Sequence, residues 1–246
     1  MLNTIMNHRT IRKYSNREVD YLSLDKILTA GIRASNTGNM QVYSIVVTRS
    51  KEQKEALAPA HFNQPMITQA PVVLTFCADF NRFNIWCRNR QAEPGYNNFQ
   101  SFITAAIDAT LVAQNVCLAA EEMGMGICYL GTTTYNADMI IGTLKLPKGV
   151  VPVTTITLGY PDEKPPLTDR LPLEAIVHYE TYKDYSPEKI DHLYAEKESM
   201  ATYQQFIKEN NKQTLAQVFT DVRYKKSNNE HFSAVLLNTL KNQGFL

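Results

Sequence analysis

The sequence predicts an α+β fold, and three observations carry that prediction. Four stretches, at 42–48, 71–78, 126–131 and 151–160, are rich in β-branched or continuous apolar residues. A long apolar run at 99–123 has helical spacing. After Pro161 the chain turns proline-rich and extended, then polar and helical.

Taken in order, a first helix is expected at 4–9. A second, N-capped by Ser23, carries Leu24, Ile27, Leu28 and Ile32 at helical spacing and stops in the polar run 35–39. Residues 42–48 read as a strand and 51–57 as a short polar helix. The run 71–78 is continuously apolar rather than alternating, which predicts a strand buried on both faces. A looser stretch containing Pro94 and Gly95 leads into the helix at 99–123. That helix is apolar almost all round, more than one layer of a monomer covers, so an oligomer interface is expected on it. Gly124 terminates it. Residues 126–131 and 151–160 are the third and fourth strands, with Pro152 near the start of the latter. Pro165, Pro166, Pro172 and Pro187 then punctuate an extended segment. Between Lys183 and Glu230 eight basic residues are matched by eight acidic ones, the pattern of a solvated helical excursion, before 232–245 turns apolar and docks. Residues 1–180 are therefore expected to form a core, with 181–246 an excursion and docking segment of the same domain.

A chain of 246 residues with 44% hydrophobic content can fill a sizeable core. Its net charge of +1 speaks against a nucleic-acid or membrane-surface partner, and 20% charged residues with 13 Tyr and 10 Phe speak against disorder. The first nine residues hold no apolar stretch of signal-peptide length. No run approaches the roughly 18 apolar residues of a spanning helix, the best, 109–120, being interrupted by Gln114 and Asn115. Cys77, Cys87, Cys117 and Cys128 form no CxxC pair; they read as reduced, buried thiols, two disulfides being the alternative in an exported chain. The cytoplasm is the expected address.

No GxSxG elbow, HExxH pair or GxxxxGK[ST] loop is present. Gly124 and Gly126 begin a GxGxxG, but position 129 is Tyr and the pair follows a helix rather than a strand. The five His are scattered, so no metal site is expected. Four clusters remain. His8, Arg9, Arg12 and Lys13 place four cationic side chains within six residues, a set that can converge on an anion or sit as a solvated basic turn. Residues 35–41, polar or glycine but for Met40, suit a polar heterocycle or a ribityl chain and equally an ordinary connection. Gly131, Thr132 and Thr133 end a buried strand, where ligands gather in α/β sheets. Arg170 lies in the proline-rich connection and alone means little.

In sequence order, HRTIRKY at 8–14, ASNTGNMQVYSIVVT at 34–48, FCADFNR at 76–82, GMGICYLGTTTYN at 124–136, LGYPDEKPPLTDRLP at 158–172 and NNEHFSAVLLNTLKNQGF at 228–245 resemble the FMN-dependent nitroreductase family, in its larger NAD(P)H nitroreductase/flavin reductase branch. The resemblance covers essentially the whole chain. It implies a three-layer α-β-α fold with a central, mostly antiparallel sheet, in an intertwined homodimer with two FMN sites at the interface. It also implies tightly bound FMN, NAD(P)H as reductant and a ping-pong transfer of hydride through flavin N5 to a nitroaromatic, quinone or related small-molecule acceptor. A flavin reductase releasing reduced FMN and a non-catalytic flavin carrier or sensor are the alternatives. No side chain is implied as nucleophile or general base, because the cofactor carries the chemistry.

Residue by residue, the resemblance implies that His8 and Arg9 contact phosphate and ribityl chain, that Thr10 makes a hydroxyl contact, and that Arg12 meets the N1/C2-carbonyl edge, where a cation stabilises charge on the reduced ring. It implies that Ser35, Asn36, Thr37, Asn39 and Gln41 reach the flavin of the opposite subunit. Gln64 would contact the ring edge, Gly131, Thr132 and Thr133 would line it, and Arg170 would bind phosphate. The branch often has a lysine where this chain has Thr168; Lys164 is the nearby substitute. In the loop 207–213 lysines stand in place of the arginines that hold the NADPH 2′-phosphate in some relatives. Lysine lacks the bidentate fork, so marked NADPH preference is not expected.

Overall fold

Strand β2, Val72–Asp79, is the plank on which the rest is assembled, and every one of its residues is buried. The computed structural model describes residues 1–246. β2 pairs antiparallel with β1, Tyr43–Thr48, on one side and with β4, Val150–Gly159, on the other. Strand β3, Gly126–Leu130, adds antiparallel to β4, giving the order β1-β2-β4-β3. Side chains alternate across a strand, so Val72, Leu74 and Phe76 enter one core cluster while Val73 enters another. Both faces are covered, which is why the run is continuously apolar.

One layer is built by α2, Tyr21–Gly31, and α6, Phe99–Glu122, whose Leu24, Ile27, Val112 and Val116 pack with Leu74, Ile156 and Leu158. The other is built by α3, Lys51–Leu57, α4, Pro65–Gln69, and α7, Ala137–Leu144, through Leu57, Ile67 and Ile140. The three-layer antiparallel expectation holds. Two further helices are α1, Leu2–Met6, whose Thr4 hydroxyl donates to Glu122 at the end of α6, and α5, Asn81–Arg88, whose Phe83 packs beside Phe80 and Phe102.

Several boundaries differ for local reasons. Helix α2 starts three residues early because Asp20, not Ser23, is its cap: the Asp20 carboxylate accepts from Ser23 N–H at 2.8 Å and from the Ser23 hydroxyl at 2.7 Å. Helix α1 ends at Met6 rather than 9, since the chain must turn to bring His8–Arg12 beside β3. Helix α5 falls where looser chain was expected, and α7 in a stretch for which the sequence suggested no element. Gly124 closes α6 in the left-handed region, at φ 75°. Pro152 lies in a central strand, where its missing N–H is absorbed by a register shift: Phe76 faces Thr154 but Cys77 faces Pro152.

By length and composition alone α6 is apolar enough for a membrane span, which amends the sequence expectation. Ten of its residues, however, pack as a core helix against the sheet. Its Phe99, Ile107 and Leu111 stay exposed. The four cysteines are free and buried.

Contacts divide the chain into two compact units, Met1–Pro166 with Phe232–Leu246, and Leu167–His231. In the first, the end of α11, Lys226–Gln243, brings Leu240 and the following Phe245 into a cluster with Phe80 and Phe102. The second contains α8, Pro187–Ser199, α9, Ala201–Glu209, and α10, Leu215–Val218, around a small buried set that includes Leu193, Leu215 and Val218.

Candidate functional site

The basic segment after α1 is clamped by its apolar members. Ile11 is buried, and its N–H donates to Ile127 O at 2.8 Å. Its side chain rests on Gly126, where an added Cβ would come within 2.4 Å of Ile11 Cγ1. The Tyr14 hydroxyl donates to Ile11 O at 2.8 Å and lies 2.7 Å from Thr157 Oγ1; burial raises its phenol pKa well above the ordinary value. Thr10 bridges to Ile127. Arg12 and Lys13 are exposed, and Glu163 Oε1 accepts both their backbone N–H groups, at 2.6 and 3.1 Å.

Of the cationic members, Arg9 lines a cavity of about 470 Å³, together with Asn7, Glu121, Gly126, Glu163 and Lys164, among others. His8 Nδ1 is 2.5 Å from Glu121 Oε1. Arg9 donates from one terminal nitrogen to Asn7 O at 3.0 Å, whereas its Nε is buried without a hydrogen-bond partner. A buried guanidinium donor left unmade is costly, and with Lys164 lining the same cavity an anion can be held there despite Glu121 and Glu163.

The loop 35–41 is held from the core. Asp108, buried in the apolar face of α6, accepts from Thr37 N–H with both oxygens, at 3.0 and 3.1 Å, and from the Thr37 hydroxyl at 3.1 Å. Asn36 Oδ1 accepts from Gln41 N–H at 3.2 Å, and Gln41 donates to Asn39 Oδ1 at 3.3 Å. Asn39 and Gln41 adopt left-handed φ of 55° and 54°, unusual for residues other than glycine, so the loop has one imposed shape. Ser35 is exposed at its start.

Two other predicted positions are brought together. Gln64 precedes α4, and its N–H donates to His61 O at 3.1 Å. His61 Nδ1 is in turn 2.8 Å from Thr132 Oγ1. Thr133 Oγ1 donates to Leu130 O at 3.0 Å, and space is open beside Gly131. In the second unit Arg170 is exposed and donates to the carbonyls of Thr168 and Asp169, at 3.2 and 2.9 Å. Asp169 is fixed by Lys197 at 2.7 Å and the Tyr203 hydroxyl at 2.6 Å, which hold its carboxyl below the usual range.

Sequence reasoning missed Glu121, Asp108, Glu163 and His61. The signal for the first two was present: each is an acid within an otherwise apolar helix. Nothing local marked the others. No group of three or more His, Cys, Asp or Glu side chains is arranged to hold a metal ion.

The donor chemistry fits FMN. Its phosphate is an anion, and the cavity offers Arg9 with an unpaired buried Nε and Lys164, with Glu121 and Glu163 also in its lining. Residues 5–160 match the family model described as the Nitroreductase family. Over 205 residues the chain is 33% identical to the FMN reductase [NAD(P)H] of Bacillus subtilis strain 168, covering 82% of each. To the oxygen-insensitive NADPH nitroreductase of Salmonella typhimurium it is 32% identical over 179 residues, 73% of each. A crystal structure from Bacteroides fragilis NCTC 9343, described as an oxidoreductase, superposes at TM-score 0.98 with 57% identity, covering 99% of both chains.

Proposed function

The chain belongs to the nitroreductase family, and on that premise we propose that it is an FMN-dependent oxidoreductase that takes hydride from NAD(P)H and passes it to nitroaromatic, quinone or related acceptors in a ping-pong cycle. The observation that carries the reading is Arg9: a buried guanidinium nitrogen without a partner, in a polar cavity shared with Lys164. Bound FMN supplies the hydride chemistry.

The chain's residues bind and orient. Arg9, Lys164 and Arg170 hold the phosphate, Lys164 standing in for the lysine absent at Thr168. Glu121 fixes His8 through Nδ1, and Glu163 fixes the backbone of Arg12. Thr10 would make a hydroxyl contact to the FMN, and Arg12 would place positive charge at the N1/C2-carbonyl edge. Gln64, Gly131, Thr132 and Thr133 line the ring. Ser35, Asn36, Thr37, Asn39 and Gln41 contact the flavin of the opposite subunit in a cytoplasmic homodimer. The exposed apolar residues of α6 support that assembly. In the loop 207–213, Lys212 is paired with Asp221 at 2.9 Å, which supports weak discrimination between NADH and NADPH.

The test is anaerobic titration of the FMN-loaded protein. Both NADH and NADPH are expected to bleach the visible flavin band, and an added nitroaromatic or quinone to restore it. A flavin that neither nucleotide bleaches refutes the assignment and leaves a carrier. Similarity to an enzyme named FMN reductase favours one second reading, a reductase that releases reduced FMN. Steady-state turnover faster with free FMN than with any nitroaromatic or quinone identifies it.

A further inference from the structure

We infer that His61 is a positioning residue: through Thr132 it ties the turn carrying Gln64 to the turn Gly131–Thr133, and the tie sets how tightly, and at what potential, the flavin is held. The inference rests on the FMN reading above, which gives both turns to the flavin.

The two turns are about seventy residues apart in sequence and meet at several points. His61 Nδ1 lies 2.8 Å from Thr132 Oγ1, and Asn136 Nδ2 donates to Ala60 O at 2.8 Å. Above them Phe232 stacks on Tyr135, with centroids 4.4 Å apart, and meets the edge of Phe62 at 6.0 Å. Phe62 and Asn63, between His61 and Gln64, both sit at φ 54° in the left-handed region, a conformation that persists only where surroundings impose it. His61 is one of those surroundings.

His61 has no exposed surface. A ligand resting on the protein surface therefore does not touch it, and its influence passes through Thr132. Its Nε2 is buried without a hydrogen-bond partner, so the ring is held by the Thr132 contact and by packing. Burial lowers its pKa to about 4, so the ring stays neutral at ordinary pH, whichever nitrogen carries the hydrogen. A neutral imidazole is suited to this place: it exchanges a hydrogen bond with a hydroxyl and adds no charge beside a redox ring.

The test uses the full-length protein in His61→Phe, His61→Gln, Thr132→Val and His61→Phe/Thr132→Val forms. Phenylalanine fills the space without a hydrogen bond, while glutamine can restore one. His61→Phe and Thr132→Val are each expected to weaken FMN binding by about fivefold to tenfold, the scale of one side-chain hydrogen bond with its geometry. Both are also expected to alter the fine structure of the visible flavin spectrum and the midpoint potential. His61→Gln recovers most of this, and the double variant is no weaker than His61→Phe alone. The inference is overturned if Thr132→Val binds FMN within twofold of wild type with the same spectrum and potential, if glutamine rescues nothing, or if the two effects simply add. Hydrogen exchange in FMN-free protein separates this from the FMN reading. Amides 131–136 should exchange faster in both single variants whether or not the wild type takes up flavin, and unchanged exchange refutes the tie itself.

Discussion

Arg9 and His61 show what a single residue reveals when its surroundings leave a polar atom unmatched. Arg9 keeps a buried donor without a partner in a cavity lined also by Lys164, Glu121 and Glu163, a place where an anion would find an unused hydrogen bond. His61 is buried so completely that its pKa falls from 6.5 to about 4. The unfolded chain then binds a proton that the folded chain refuses. The stabilisation is therefore full above about pH 6.5 and is lost as pH falls toward 4. At about 1.4 kcal/mol per unit this is on the order of 3 kcal/mol. Urea unfolding of wild type and His61→Gln at a series of pH values should show the two stability curves converging as pH drops from 7 to 4. Curves that stay parallel contradict a neutral, buried imidazole.

At the scale of elements, all four strands were legible within two residues of their ends, because β-branched and continuous apolar runs report burial on a sheet directly. Helix α3 was legible to the residue, and the buried face of α6 followed from its apolar spacing. Helices α5 and α7 were not. Asn81–Arg88 buries only Cys87 and has no side-chain cap, while Ala137–Leu144 is short, lacks a cap bond and contains Gly142. The candidate site was legible as segments but not as a set of partners. His8, Thr37 and Thr132 carry no local sign that Glu121, Asp108 and His61 await them 113, 71 and 71 residues away. The junction of Ile11 with Gly126 is where an element positions the site. Gly126→Ala would drive a methyl into Ile11, which its backbone bond to Ile127 keeps from retreating. Overpacking of this kind costs about 1–3 kcal/mol. The unfolding free energy from urea titration should fall by that much, and FMN affinity should fall with it as the 8–12 segment shifts. A variant as stable as wild type with unchanged affinity refutes this role for the junction.

At the scale of the whole molecule, α6 presents Ile107 and Leu111 to solvent at 55% and 44% exposure, while its opposite face fills the core. An apolar helix with one uncovered face is read as a subunit interface. Sedimentation equilibrium should give twice the 27.9 kDa chain mass for wild type and a shift toward the single-chain mass for Leu111→Lys. A wild-type monomer contradicts the dimer. The proposed function rests most heavily on Arg9 and Arg170 as ligands of the FMN phosphate. The direct measurement is the FMN dissociation constant of wild type, Arg9→Ala, Arg170→Ala and the double variant at fixed ionic strength. Each single change should weaken binding by about tenfold or more, the scale of a charge-assisted hydrogen bond, and the double should fall short of the product of the two. Wild-type affinity in either single variant, or strict additivity in the double, would contradict a shared phosphate site.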